Sequence, residues 1–293
     1  MRILHLSDTH LDRLAAPDED GADGTAALRL LLAELAHLDA LGAVVVTGDI
    51  ADDGSREAYR RAHELLSDYA APRGAHLFYA TGNHDDRAAF ADVLGCGHAA
   101  PDAVFDGPAG ERAASSTVGG HRLVTLDTLV PGKGYGHLSA AQLGWLRDLL
   151  ATPAESGTVL AFHHPPIGLA GVEVQRTLGL ENAAELADAI SGTDVGLVLC
   201  GHFHLQLTAR LAQATVWVTP GVVSRIDLTA RPGTERAVHG PSASLVDLAS
   251  PHSPLIHTLH ARDPRMGRTV YEADEDAMHR VITRLGPPAP SPS

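Results

Sequence analysis

Five short polar clusters, each closing an apolar run, constrain this chain more than any other feature: Asp8-Thr9-His10, Gly48-Asp49, Gly82-Asn83-His84-Asp85, His163-His164 and Gly201-His202-Phe203-His204. The runs before them, at 3–7, 43–47, 77–81, 159–162 and 195–200, have strand length and almost no polarity, as expected of strands buried on both faces. Helical spacing separates several of them. Leu28, Leu31, Leu32, Leu35 and Leu38 recur on one face of a helix expected over 25–41. A second helix is expected over 55–69, and Ser139 with Gln142 forms a capping box that opens a third, carrying Trp145, Leu146, Leu149 and Leu150. The β-α-β pattern predicts an open α/β sheet, in which loops beyond the strands' carboxyl ends converge on a ligand crevice. The clusters fall on those loops.

From Gln206 onward the pattern shortens to alternating segments at 215–219, 244–248 and 255–260, predicting a second, more antiparallel sheet. A terminal helix over 274–285 would present Met278, Val281, Ile282 and Leu285 on its apolar side. Because clusters from Asp8 to His204 must meet in space, residues 1–285 read as one domain. The Gly/Pro/Ser-rich tail, 286–293, reads as disordered.

The cluster residues are metal donors. Asp, His and Asn offer carboxylate, imidazole and amide groups suited to Mn or Fe, with Zn or Co as alternatives. Seven potential ligands among the clusters are about what two adjacent ions need, with one carboxylate bridging the pair. Asp8 and His10, two residues apart, can face one side of an extended segment. Gly48, Gly82 and Gly201 each precede an expected ligand, where a tight turn would favour glycine. A formal charge of -14 and an isoelectric point near 5.6 argue against a general binder of long nucleic acids or anionic membranes, which need a basic surface. The pocket is the exception, because two divalent or trivalent ions outweigh two carboxylates. Cys96 and Cys200 lack metal or redox spacing and read as free thiols. The opening Met-Arg-Ile-Leu-His-Leu lacks a signal-peptide core, and no apolar run approaches the ~18 residues of a membrane span. A reducing cytoplasm is therefore the expected compartment.

In order and context, the clusters resemble the calcineurin-like metallophosphoesterase superfamily, whose pattern runs Asp-x-His, Gly-Asp, Gly-Asn-His-Asp/Glu, His and Gly-His-x-His. The resemblance covers residues 3–204. It implies a four-layer αββα sandwich of two stacked mixed sheets. It also implies that Asp8, His10 and His204 hold the first ion, that Asp49 bridges, and that Asn83, His163 and His202 complete the second. Asn83 and His84 would contact substrate phosphate, with His84 protonating the leaving oxygen. Asp85 is expected to orient His84 by a carboxylate-imidazole hydrogen bond and to share its catalytic role. Asp52 reads either as a support of the site from outside the ligand set or as a solvated loop carboxylate, and His164 is expected to stiffen the loop of the second ion. Tyr135 and His137, in the Gly132 to Gly136 stretch, are candidates for a pocket rim.

Within the superfamily, the segment Gly48-Asp49-Ile50-Ala51-Asp52-Asp53-Gly54 lacks the Asp-Arg-Gly of phosphoprotein phosphatases and the tyrosine ligand of purple acid phosphatases. Gly82-Asn83-His84-Asp85-Asp86-Arg87, Gln142-Leu143-Gly144-Trp145-Leu146 and His163-His164-Pro165-Pro166 resemble the bacterial class III cyclic nucleotide phosphodiesterases and related glycerophosphodiesterases. The resemblance implies hydrolysis of cyclic nucleotides such as cAMP, or other small phosphodiesters, by in-line attack of a metal-bridging hydroxide. The alternative is a promiscuous phosphomonoesterase or glycerophosphodiesterase on the same core; a non-enzymatic scaffold would have lost ligands or His84. Members of this branch often pair, which implies a homodimer.

Overall fold

The computed structural model describes residues 1–17, 20–169, 171–249 and 254–288. Along the chain run β1 (Arg2–Leu6), α1 (Gly24–Glu34), β2 (Ala43–Thr47), α2 (Arg56–Ala70), β3 (His76–Ala80) and α3 (Arg87–Leu94). Next come β4 (Ala103–Asp106), β5 (Arg112–Val118), β6 (His121–Thr125), α4 (Ala140–Leu150), β7 (Thr158–Ala161), α5 (Glu173–Thr177), α6 (Ala183–Ile190) and β8 (Val195–Cys200). The remainder holds β9 (Leu207–Leu211), β10 (Ala214–Val218), β11 (Arg225–Ile226), β12 (Glu235–Val238), β13 (Ser242–Asp247), β14 (Leu255–His260), β15 (Thr269–Ala273) and α7 (Glu275–Leu285).

One large sheet has the order β14-β13-β1-β2-β3 and the other β4-β5-β6-β7-β8-β10-β9. Both are mixed. Each has a parallel centre, β1-β2-β3 in one and β6-β7-β8-β10 in the other, with antiparallel strands beside it. Strand alternation explains why they stack. Ile3, Val45 and Phe78 point one way and meet Leu123, Val159, Leu197 and Trp217 of the second sheet. The opposite faces, Leu4, Val44 and Val46 in one and Val124, Leu160 and Val198 in the other, are covered by α1–α3 and by α4 with α6. This is the expected αββα sandwich. Truncating one of these fully buried leucines or isoleucines to alanine costs roughly 2–5 kcal/mol.

The segments at 215–219, 244–248 and 255–260 do not share a sheet of their own, contrary to their sequence pattern. β13 and β14 extend the first sheet, β9 and β10 the second, and β11-β12-β15 make a small third sheet. Alternation reports one polar face but not which sheet a strand joins.

Helix starts follow their caps. Asp23, Ser55, Asp86, Ser139 and Asp274 each accept a backbone N–H in the first turn, a device worth ~1 kcal/mol apiece. α1 ends at Glu34, earlier than its leucine spacing implied, and passes into turns that still tuck Leu35 and Leu38 against the core. The Arg73 guanidinium donates to the carbonyls of Ala36 and Leu38, which the shortened helix leaves without helical partners. The capping box forms only in part: Ser139 Oγ accepts from Gln142 N, but the Gln142 side chain turns away to bracket Asp127. The apolar face of α7 is half-buried rather than core. Of the tail expected to be disordered, 289–293 lie outside the described residues.

Candidate metal centre

All five clusters lie just past the carboxyl ends of parallel strands: 8–10 after β1, 48–49 after β2, 82–85 after β3, 163–164 after β7 and 201–204 after β8. Backbone bonds continue the ladders into these loops. Asp8 N donates to Gly48 O, His10 N to Asp49 O and Gly201 N to His163 O, so the two sheets hold their loops in register. Asp8, His10, Asp49, His202 and His204 all have left-handed backbone, with φ of 56°, 44°, 47°, 68° and 49°. Such conformations cost a non-glycine residue roughly 1–2 kcal/mol, and five of them concentrate at this one spot. Of the three glycines, only Gly48 needs its freedom of φ, at 88°. Gly82 and Gly201 are required by space: a Cβ would lie 2.2 Å from Asp49 Oδ1 in one case and 1.7 Å from Ser7 Oγ in the other.

The imidazoles present lone pairs inward. His163 Nδ1 donates to the Thr47 carbonyl at 2.7 Å and His204 Nδ1 to the Ser224 carbonyl at 3.1 Å, while His10 Nδ1 meets Asp52 Oδ1 at 2.8 Å. A carbonyl or carboxylate can only accept, which leaves Nε2 as the free lone pair in each neutral ring. Those Nε2 atoms face buried carboxylates. His163 Nε2 lies 3.1 Å from Asp49 Oδ2 and 3.2 Å from Asn83 Oδ1; His10 Nε2 lies 3.7 Å from the same Asp49 oxygen; His204 Nε2 lies 3.4 Å from Asp8 Oδ1. Lone pairs facing one another at this spacing need positive charge between them, and donors ~3–4 Å apart suit ions bound at ~2.0–2.3 Å. Among the described residues, His10 Nε2 and His202 Nδ1 are buried without any hydrogen-bond partner, orphans that a metal would satisfy. Donor atoms of Asp8, His10 and His204 fall within 4.8 Å of one another, as do those of Asp8, Asp49 and His163 and those of His163, His164 and His202. The donor set fits two metal ions, with Asp49 between the halves.

In the metal-free chain, protons take the place of that charge. Burial pushes the His163 imidazole down, but Asp49 and Asp8 outweigh it and raise the group to about 9. Burial pushes the Asp49 carboxyl up, yet His163 and His84 hold it well below its ordinary value. His202, buried beside His163, falls to about 3 and is neutral, the state a ligand needs.

The Calcineurin-like phosphoesterase family model matches residues 1–206. The chain belongs to that family. It is 38% identical over 245 residues to a cAMP/cGMP dual specificity phosphodiesterase of Mycobacterium tuberculosis (strain CDC 1551 / Oshkosh), over 81% of this chain and 72% of the relative. It is 36% identical over 241 residues to a probable cyclic nucleotide phosphodiesterase of Rhodococcus erythropolis (strain PR4 / NBRC 100887), over 81% and 76%. The structure of purple acid phosphatase PPD1 from yellow lupin superposes with a TM-score of 0.56 at 12% identity, covering all of this chain and 57% of that one. That likeness is one of fold.

Around the donors of this phosphoesterase, His84 is half-exposed, lines a cavity of about 330 Å³ together with His10, Asp52, His204 and Tyr271, and also reaches the edge of the donor cluster near His10 and Asp49. Asp85 does not orient it. The Asp85 carboxylate is buried and accepts from Gly82 N, Ile50 N, Ala51 N and Tyr59 Oη at 2.8–3.3 Å. It folds back beneath the loop to satisfy backbone donors there. The carboxylate beside His84 belongs to Asp52, 3.1 Å away. His164 Nδ1 meets Thr128 Oγ1 at 2.8 Å and its ring packs beside His202. Gly136 lies against the His164 ring rather than on the rim of the cavity beside His84.

Sequence reasoning missed Ser224, Thr47 and Thr128, which hold the rings of His204, His163 and His164. Two of these contacts run through main-chain carbonyls and carry no side-chain signal. It also missed the Arg87–Asp127 pair, bidentate at 2.8 and 3.0 Å, which joins the start of α3 to the Gln142 bracket on α4. Arg87 follows His84 by three residues and Gln142 stands in the Gln-Leu-x-Trp-Leu segment, so this pair couples the His84 loop to that motif.

Proposed function

We propose that this chain is a dinuclear-metal phosphodiesterase acting on cyclic nucleotides and other small phosphodiesters. The carrying observation is the convergence of His10 and His163, one from each half of the donor set, on the same oxygen of Asp49. In this reading Asp8, His10 and His204 hold one ion, Asn83, His163 and His202 the other, and Asp49 bridges. Mn and Fe suit the imidazole-rich set best, with Zn or Co as alternatives. Bound there, the ions supply Lewis acidity toward phosphate and a nucleophile at neutral pH.

The chain's own residues do the rest. Asn83 and His84 orient the phosphate at the mouth of the cavity, whose volume lies within the ~300–1,000 Å³ of small-ligand sites. Desolvation pulls the His84 imidazole down, but in the metal-free chain Asp49 and Asp52 outweigh it and raise it to about 10; with ions on Asp49, Asp52 is the carboxylate that holds a proton on the ring. With Nδ1 turned to Asp52, Nε2–H is left to protonate a departing alkoxide. A diester monoanion needs fewer cationic clamps than a monoester dianion, and no arginine follows Asp52 in the Asp-Arg-Gly position. The -14 charge supports exclusion of long nucleic acids and anionic membranes. Two free thiols support a reducing, cytoplasmic setting, and homodimerisation is carried over from the branch resemblance alone.

The test is kcat/KM for cyclic AMP, cyclic GMP, bis(p-nitrophenyl) phosphate and p-nitrophenyl phosphate on one metal-loaded preparation. The diesters should lead, and a monoester preference of about tenfold or more would overturn this reading in favour of a phosphatase.

A further inference from the structure

His204 stands between two cavities. On one side is the cavity shared with His84; on the other is a second, of about 400 Å³, lined by Gln206, Arg225, Asp227 and His260 among others. Arg225 is rigidly tied to the metal centre, because its neighbours on both sides bond His204. Ser224 O accepts from His204 Nδ1, and Ile226 N donates to His204 O at 3.0 Å.

The Arg225 guanidinium is available for a ligand. Among the described residues its Nε is buried without a hydrogen-bond partner and no ion pair includes it. The nearby carboxylate, Asp227, is already engaged by Arg236 at 2.7 Å and by Thr229. His260 is held below its usual range by burial and by Arg225 itself, and so adds no charge at neutral pH. The cavity is therefore net positive in a strongly acidic protein. Gly240 makes the room: a Cβ there would stand 2.6 Å from Arg225 Nε and 2.9 Å from Nη2. A buried N–H without an acceptor is costly to keep, and among the described residues the charged head that carries it has no counter-ion to satisfy it.

We propose that Arg225 anchors a subsite for an anionic oxygen group, a carboxylate or a second phosphate, carried on the substituent of a phosphodiester whose reacting phosphate lies at the metal centre. The inference rests on the phosphodiesterase reading for its substrate and extends it to diesters bearing a second negative charge. A planar guanidinium suits such groups through paired charge-assisted hydrogen bonds.

Two p-nitrophenyl alkyl phosphodiesters provide the test, identical except that the alkyl chain ends in a carboxylate or in its primary amide. With metal-loaded wild type, KM for the carboxylate should be lower by roughly tenfold or more, the size of one charge-assisted bond. Arg225→Gln should erase that advantage and leave the amide's kcat and KM within about twofold. Gly240→Ala, which crowds the guanidinium without removing it, should weaken the carboxylate substrate in the same direction. Equal KM for the two esters in wild type, or an Arg225→Gln effect shared by both, would overturn the subsite. Absence of turnover on the amide ester by wild type would instead reject the phosphodiesterase reading. In that event sulfate decides: it should raise the Tm of metal-loaded wild type more than that of Arg225→Gln, and equal shifts would overturn the subsite.

Discussion

Asp52 Oδ1 lies 3.1 Å from Nδ1 of His84. The same oxygen stands 2.8 Å from His10 Nδ1, so one half-exposed carboxylate orients both a metal-donor imidazole and the imidazole assigned to the leaving group. Its own carboxyl is held below the usual range by hydrogen bonds to His10 and His84.

Removing Asp52 should therefore slow catalysis in a leaving-group-dependent way. For Asp52→Ala, kcat on cyclic AMP should fall ~10–100-fold, typical of losing an outer partner of a metal site. The loss should be smaller on bis(p-nitrophenyl) phosphate, whose p-nitrophenolate departs with little need of a proton. In the proposed mechanism His84 acts protonated, so activity declines as pH rises through the value that Asp52 sets for it in the loaded site, and losing Asp52 should move that alkaline limb to lower pH. Rate-pH profiles on both substrates check this. An equal loss on both with an unmoved limb contradicts the assignment.

Asp85 should behave differently, as a residue of stability. Asp85→Ala strands the buried N–H groups of Gly82, Ile50 and Ala51 and the Tyr59 hydroxyl. At ~1–3 kcal/mol for each stranded donor, the loss should reach about 3 kcal/mol or more. Tm should fall by about 5 °C or more for a chain of this size. Differential scanning calorimetry of the metal-loaded variant measures it, and an unchanged Tm with slowed turnover would return Asp85 to a catalytic role.

Much of the site and part of the fold were legible in the sequence. The donors fell at the ends of apolar runs because parallel strands buried on both faces must be continuously apolar, and because their loops share one crevice. The partner of His84 was not legible. Asp85 is adjacent in sequence and Asp52 lies a loop away, and only the crossing of the β2 and β3 loops turns Asp85 under the backbone while lifting Asp52 to the rings. β4, β5 and β6 carry Ser, Thr, Arg and His among their apolar residues, so their periodicity is weak and the edge of the second sheet went unread. Arg225 has no motif around it; its isolation is a property of the third sheet.

Metal affinity should rise with pH. His163 is protonated at neutral pH in the metal-free chain, with a folded value near 9 against an ordinary 6.5, and it must lose that proton to bind. Each displaced proton makes affinity rise about tenfold per pH unit below the raised value, and His204, also raised by Asp8 against the pull of burial, should steepen the slope. Metal-free stability has the opposite sign: the pairing of protonated His163 with Asp49 is fully present below pH 6.5 and lost as pH rises through about 9. Mn titrations by calorimetry at pH 6.5, 7.5 and 8.5 test the first statement. A flat affinity contradicts it.

The central claim is a pair of ions sharing Asp49, and the most direct measurement is activity on a phosphodiester as chelator-stripped protein is titrated with Mn, with bound metal counted by elemental analysis at each step. The account predicts that activity reaches its plateau only at about two ions per chain, and that Asp49→Ala loses occupancy of the pair together with nearly all turnover. A plateau at one ion per chain, or an Asp49→Ala protein that keeps two tightly held ions and ordinary turnover, would contradict it.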